Sequence, residues 1–165
     1  MAPTPDPTAS AHCHRSRLVR YAASILRDDA RAEDAVQDVM CRLVERKEEA
    51  PSRAWLYAAV RNRCIDLLRK EGRMTAVADL DQTHVSPSGE DPAAMAMQHD
   101  SAANALAALD RLPASQRDVL RLRFSGSLSY AEIADATGKS VNHVGVLIHE
   151  GLKTLRRQLG AEVTQ

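Results

Sequence analysis

Between residues 127 and 159 the apolar positions fall at helical spacing in two registers separated by a glycine. Ala131, Ile133 and Ala134 give a small apolar surface behind Ser129, which occupies a helix N-cap position with Glu132 three residues on to complete a capping box. Gly138 then ends this short helix as a left-handed residue. Ser140 caps the next helix, in which Val141, Val144, Ile148, Leu152, Leu155 and Leu159 recur at spacings of three and four and so share one buried stripe. Asn142, Gly145, His149, Lys153 and Arg156 make the opposite, polar stripe. A short helix, a glycine turn and a longer helix with one polar face is the plan of a helix-turn-helix, whose second helix lies in the major groove. An αα-hairpin that only packs has the same outline.

The same periodicity predicts helices elsewhere. A first helix spans residues 15–27, with Leu18, Ala22, Ile25 and Leu26 inward, and Asp28-Asp29 make the turn after it. A second spans 31–46, with Val36, Val39, Met40, Leu43 and Val44 inward. Pro51 and Ser52 open a third, over 53–71, with Trp55, Leu56, Ala59, Val60, Leu67 and Leu68 inward. Residues 74–101 lack helical periodicity through Pro92 and carry Ser-Pro and Ser-Gly turn signals, which marks a flexible linker. Beyond it, Ala105, Leu106, Leu109 and Leu112 form one stripe, Pro113 begins the next helix, Val119, Leu120 and Phe124 bury, and Ser125-Gly126 end it. Gln116, Arg117, Arg121 and Arg123 belong at or near the surface. Strand signals are nearly absent and alanine is abundant, so the fold class is all-α. The expected organisation is a disordered leader over 1–14, a three-helix bundle over 15–73, the linker over 74–101 and a four-helix domain over 102–160.

Net charge is zero, from 22 basic and 22 acidic residues, but it is distributed in blocks. Residues 1–27 sum to +3, 28–50 to −4, 51–73 to +4, 74–104 to −5 and 105–165 to +2. Alternating signs suit separate surfaces for separate partners. The second helix carries Glu33, Asp34, Gln37, Asp38 and Glu45 outward, and the third carries Arg53, Arg61, Arg63, Arg69 and Lys70 around a face that also holds Asn62 and Asp66. Asp66 is placed to pair with Arg63, Arg69 or Lys70. Cys13, Cys41 and Cys64 fit no zinc pattern and read as reduced thiols of a cytoplasmic protein, and the triplet His12-Cys13-His14 makes a poor preformed metal site. No signal peptide, membrane span, phosphate-binding glycine loop or nucleophile elbow is present, so neither an enzyme nor a cofactor is expected.

Four stretches carry a likeness: AEDAVQDV at 32–39, AWLY at 54–57 leading to RNRCIDLLR at 61–69, LPASQRDV at 112–119 and LSYAEIA at 128–134. In this order, with a linker between the second and third, the chain resembles the extracytoplasmic-function (ECF) group of bacterial sigma-70 factors. The resemblance implies a protein that binds core RNA polymerase and directs it to promoters. It implies that Glu33, Asp34, Gln37, Asp38 and Glu45 dock on the clamp helices of the polymerase largest subunit. It further implies that Arg53, Arg61, Arg63, Arg69 and Lys70 meet phosphates at the start-proximal element, and that Asn62 meets a base there. Ser140, Asn142, His143, His149, Lys153, Arg156 and Arg157 fall on the helix that reads the upstream element, and the polymerase flap and an anti-sigma factor are further implied partners.

Two departures from the family pattern stand out. The recognition helix holds His143-Val144-Gly145-Val146-Leu147 where basic and hydroxyl residues are usual, and Glu150 stands where an Arg is usual, so a carboxylate would face phosphates. The loop from Glu45 to Ser52 has no aromatic to help hold a flipped base. A stand-alone helix-turn-helix regulator, which would leave residues 15–73 without a purpose, and a degenerate sigma-like interaction module are the competing readings.

Overall fold

A computed structural model describes residues 7–46, 51–72 and 97–163, with side chains over 14–46, 51–72 and 103–160. Among the described residues all regular structure is helical: α1 (Pro7–Leu26), α2 (Asp29–Arg46), α3 (Arg53–Lys70), α4 (Met97–Asp110), α5 (Ala114–Phe124), α6 (Tyr130–Thr137) and α7 (Val141–Val163). Two helices start earlier than expected. α1 takes in residues 7–14, which the sequence assigned to the leader, and α4 begins inside the segment assigned to the linker. Most of that linker, residues 73–96, lies outside the described residues.

The helix boundaries follow from capping. Asp28 accepts from the Arg31 amide through Oδ1 at 3.0 Å and so opens α2. Ser52 does the same for α3, accepting from the Trp55 amide at 3.1 Å. The Pro113 carbonyl accepts from the Arg117 amide at 2.9 Å, which puts the proline at the cap of α5 rather than at its first helical position.

Contacts group the chain into two compact units, one within residues 1–75 and 121–144, the other within 76–120 and 145–165. In the first, α1, α2 and α3 pack on one another and α3 also packs on α6. Leu18, Tyr21 and Ala22 of α1, Val36, Val39 and Leu43 of α2 and Leu56, Tyr57 and Val60 of α3 are all buried where these three helices pack. The Tyr21 and Tyr57 rings sit edge to face, centroids 5.3 Å apart. Cys64 is buried in the same unit, and desolvation pushes its thiol up to about 12, so it behaves as a small apolar side chain. In the second unit Ala108, Leu112, Val119, Leu120, Leu147 and Ile148 bury, and Gly151 packs against Leu120.

Six expected orientations are corrected, the first being Ala131, which is exposed at the start of α6 and leaves its apolar surface to Ile133 and Ala134. Trp55 is 38% exposed because the inward line of α3 runs through Leu56, Tyr57, Val60 and Cys64, rotated away from the tryptophan. Phe124 is 61% exposed because Leu128 folds back over the end of α5, its amide donating to the Leu122 carbonyl at 3.2 Å, and occupies the buried place instead. Val44, in the last turn of α2, and Val141, in the first turn of α7, are exposed at helix ends where fewer neighbours reach them. Arg121 is buried rather than superficial, set between buried Leu120 and Leu122.

Candidate polymerase and nucleic-acid interfaces

The acidic face of α2 is presented as expected for Glu33, Asp34, Gln37 and Glu45, all exposed. Asp38 differs. Its Oδ2 lies 2.7 Å from Arg63 Nε of α3 and 3.2 Å from Arg42 Nη2 one turn away, so the carboxylate ties α2 to α3. Gln37 is also engaged, accepting from Arg15 Nη1 at 2.7 Å. Glu33, Asp34 and Glu45 therefore carry the outward charge of this face.

On α3 the exposed positions Trp55, Asn62 and Asp66 follow a helical line that also passes Ala59 and Arg63. This line faces α2 across a cavity of about 190 Å³ lined by Val39, Trp55 and Ala59 and by Arg42, Arg46 and Arg63, of which Arg42 and Arg63 are paired with Asp38. Asn62 and Asp66 complete the lining with a neutral amide and a carboxylate. Arg42 and Arg46 were not singled out in the sequence as contributors to this site, and Trp55, which the sequence placed in the core in preference to a stacking platform, stands on it exposed. The Trp55–Ala59–Asn62–Asp66 spacing is the signal that could have shown the tryptophan on the polar line. Arg69 and Lys70 are exposed at the C-terminal end of α3 and Arg61 is half-buried.

Arg53, at the other end of α3, points elsewhere. Its Nη2 donates to the Gly126 carbonyl at 2.7 Å and to the Ser127 carbonyl at 2.9 Å, and its Nη1 lies 3.5 Å from Glu132 Oε1. Tyr57 donates its hydroxyl to the same Gly126 carbonyl at 3.1 Å. Arg53 thus stands apart from the basic group with which the sequence associated it.

The helix-turn-helix is built as the sequence indicates. Ser129 Oγ accepts from the Glu132 amide at 3.2 Å while Glu132 accepts from the Ser129 amide at 2.8 Å, a complete capping box. These bonds hold the Glu132 carboxyl below the usual carboxylate range. Gly138 adopts φ 71°, the left-handed conformation that lets the chain reverse into α7. Ser140 Oγ accepts from the His143 amide at 3.2 Å, which fills one of its acceptor sites with a capping role. Asn142, His143, His149, Lys153, Arg156 and Arg157 are all exposed along α7. Glu150 is exposed too, and Gln116 Nε2 of α5 stands 3.5 Å from its Oε2. Among the described residues no group of His, Cys, Asp and Glu is arranged to hold a metal ion, and no helix is long and apolar enough to cross a membrane.

Comparison with known proteins agrees with this layout. Residues 11–74 match the family described as Sigma-70 region 2, and residues 102–155 match Sigma-70, region 4. The chain is 29% identical to the ECF RNA polymerase sigma factor SigX of Bacillus subtilis, over 86% of this chain and 77% of that protein. It is 32% identical to the ECF RNA polymerase sigma factor SigL of Mycobacterium tuberculosis, over 88% of this chain and 84% of the relative. In fold it is similar to the sigma factor RpoE of Bartonella quintana, solved with the anti-sigma factor NepR, at TM-score 0.64 and 22% identity, covering 93% of this chain and 96% of that one. It is similar also to CnrH, solved with the cytosolic domain of CnrY, at TM-score 0.66 and 22% identity, covering 94% and 88%. Two helical regions, the second ending in a helix-turn-helix, define a DNA-binding transcription factor of two parts. The chain belongs to the sigma-70 family, within its ECF group, and directs transcription initiation by RNA polymerase. Sigma factors are not enzymes, and nucleotidyl transfer is the work of the polymerase.

Proposed function

We propose that Glu33, Asp34 and Glu45 form the outward part of a surface that docks on the clamp helices of the polymerase largest subunit, with Gln37 and Asp38 setting its edge. Exposed carboxylates at helical spacing suit a basic partner and raise its rate of encounter. The cavity between α2 and α3 then receives a base unstacked from the start-proximal promoter element. Trp55 offers an aromatic wall, Asn62 an amide able to read a base edge, and Arg42, Arg46 and Arg63 a rim for the neighbouring phosphates. Arg61, Arg69 and Lys70 extend the phosphate track. The Trp55 wall supplies the aromatic that the loop from Glu45 to Ser52 lacks. α7 reads the upstream element, its leading Asn142 and His143 placed for base edges and Lys153, Arg156 and Arg157 for phosphates. The polymerase flap and an anti-sigma factor are the further partners of this reading, and the bacterial cytoplasm its compartment.

The observation that carries this reading is the cavity, because an apolar pocket with a cationic rim beside an exposed acidic face joins base capture to polymerase docking on one pair of helices. Core polymerase, the chain and a promoter library are mixed, and chain-dependent transcripts are mapped to their starts. Trp55→Ala and Asn62→Ala are expected to abolish permanganate-reactive melted DNA at those starts while leaving polymerase binding intact. Melting unchanged in both variants would remove the cavity from promoter opening.

A further inference from the structure

We propose that Val146 determines specificity in the upstream element by packing against the 5-methyl group of a thymine in the major groove. The inference rests on the reading of α7 given above and adds to it one residue and the base that residue selects.

Val146 is the sixth residue of α7 and is 53% exposed, although valine is among the side chains most often buried. Successive helical residues turn by about 100°, so His143 and His149 stand about 60° to either side of Val146, and Lys153 lies almost on its line. Asn142 is one turn before it and Glu150 one turn after, and all five of these neighbours are exposed. Val146 therefore lies at the middle of the polar arc of α7, well away from the buried stripe of Val144, Leu147 and Ile148. An isolated valine ringed by polar side chains is too small an apolar patch to dock another protein. On the helix that enters the groove, the same valine faces base edges.

Chemistry chooses the base. The valine side chain makes no hydrogen bond. Opposite guanine, adenine or cytosine it would strip water from N7, O6 or an exocyclic amino group and leave that atom unpaired, which opposes binding. Among the four bases only thymine presents a methyl group in the major groove, and contact with it takes apolar surface on both partners out of water. Asn142 complements this contact, because its amide suits the N6 and N7 edge of adenine. Four residues of helix separate the two side chains by about 6 Å of rise. With bases stacked about 3.4 Å apart, the methyl falls within about two steps of the base that Asn142 meets.

The test uses core polymerase carrying the full chain. The upstream element it selects is read from a randomised promoter library, with Lys153→Ala as the control that α7 binds that element. Each thymine of the element is then replaced singly by deoxyuridine, which deletes the methyl and keeps the base pair. Affinity is expected to fall about fourfold at one thymine, the effect of one methyl group lost from an apolar contact. In Val146→Ser the same replacement is expected to change nothing, and serine matches valine in helix propensity, so α7 stays formed. An element in which no deoxyuridine weakens binding overturns the proposal, as does a methyl effect of equal size in Val146→Ser. A library that yields no upstream element, or an element bound equally well by Lys153→Ala, overturns the reading of α7 and the proposal with it. Selection that depends on Lys153 without any methyl effect overturns the role of Val146 alone.

Discussion

Arg63 Nε lies 2.7 Å from Asp38 Oδ2, which joins a residue from the basic helix to one from the acidic helix. The sequence placed these two side chains on surfaces for different partners. Their pairing makes Asp38 a strut between α2 and α3, reinforced by Arg42 at 3.2 Å, so the charge proposed for docking falls to the exposed Glu33, Asp34 and Glu45.

Charge reversal separates the two roles. Asp34→Arg, at an exposed position, is expected to weaken binding to core polymerase by about tenfold, or about 1.4 kcal/mol, and to leave thermal stability unchanged. Asp38→Arg sets a third cation beside Arg42 and Arg63 and is expected to cost about 1 kcal/mol of stability as well, a modest figure because the pair is partly solvated. Thermal denaturation beside polymerase pull-down reads both quantities. Equal destabilisation by the two variants would contradict the division.

Acid should loosen the contact around Arg53. Burial and the nearby Arg53 and Arg17 hold His14 below its ordinary value of 6.5, with Glu132 opposing them. A histidine depressed in the folded chain contributes stability that is complete above 6.5 and is lost as pH falls through its lowered value. Glu132, held below 4.5 chiefly by its bonds to Ser129, acts in the same direction at lower pH. The Tyr57–Gly126 contact is therefore expected to weaken as pH falls below 6.5, and His14→Gln to flatten that dependence. A contact that strengthens on acidification would reverse the sign argued here.

Much of this was legible in the residues because local rules govern it. The Ser129–Glu132 capping box, the Gly138 reversal and the Ser140 cap each depend on neighbours a few positions away, and the structure has all three. The stripes at spacings of three and four specify the helices but not their rotation where two apolar faces compete. Trp55 and Leu56 are adjacent on α3, and only the packing of Tyr57 on Tyr21 decides which of them turns inward. Phe124 lost its buried place to Leu128, whose approach depends on how the chain turns after α5. The partners of Arg53 and Asp38 were illegible for the same reason: they come from other helices, and spacing along one helix carries no record of them.

The corner after α5 should tolerate no side chain at its glycine. A Cβ on Gly126 would lie 2.7 Å from the Leu122 carbonyl oxygen and 2.7 Å from Leu128 Cδ1. The carbonyl belongs to helix backbone and cannot step aside, so Gly126→Ala is expected to cost about 1–3 kcal/mol. Gly151→Ala is the informative contrast. Its Cβ would meet Leu120 Cδ1 at 2.7 Å, the movable end of a side chain, and alanine favours the helix by about 1 kcal/mol, so the two effects nearly cancel. Denaturation midpoints of the two variants check the ranking.

Glu150 offers the most direct probe of how α7 meets DNA. It is exposed on the helix, with Gln116 at 3.5 Å as a weak partner, so replacing it disturbs little packing. Were this side of α7 to face the duplex, the carboxylate would repel phosphates that Lys153, Arg156 and Arg157 on the same helix would attract. Glu150→Arg removes that repulsion and adds a cation, and each phosphate neutralised releases condensed counterions. Affinity for mixed-sequence duplex is expected to rise, and the plot of log affinity against log salt to steepen by about one unit. A steeper slope would place position 150 against the phosphate backbone, whereas an unchanged slope at unchanged affinity would turn that side of α7 away from the duplex and leave Asn142, His143 and His149 as the face that enters the groove.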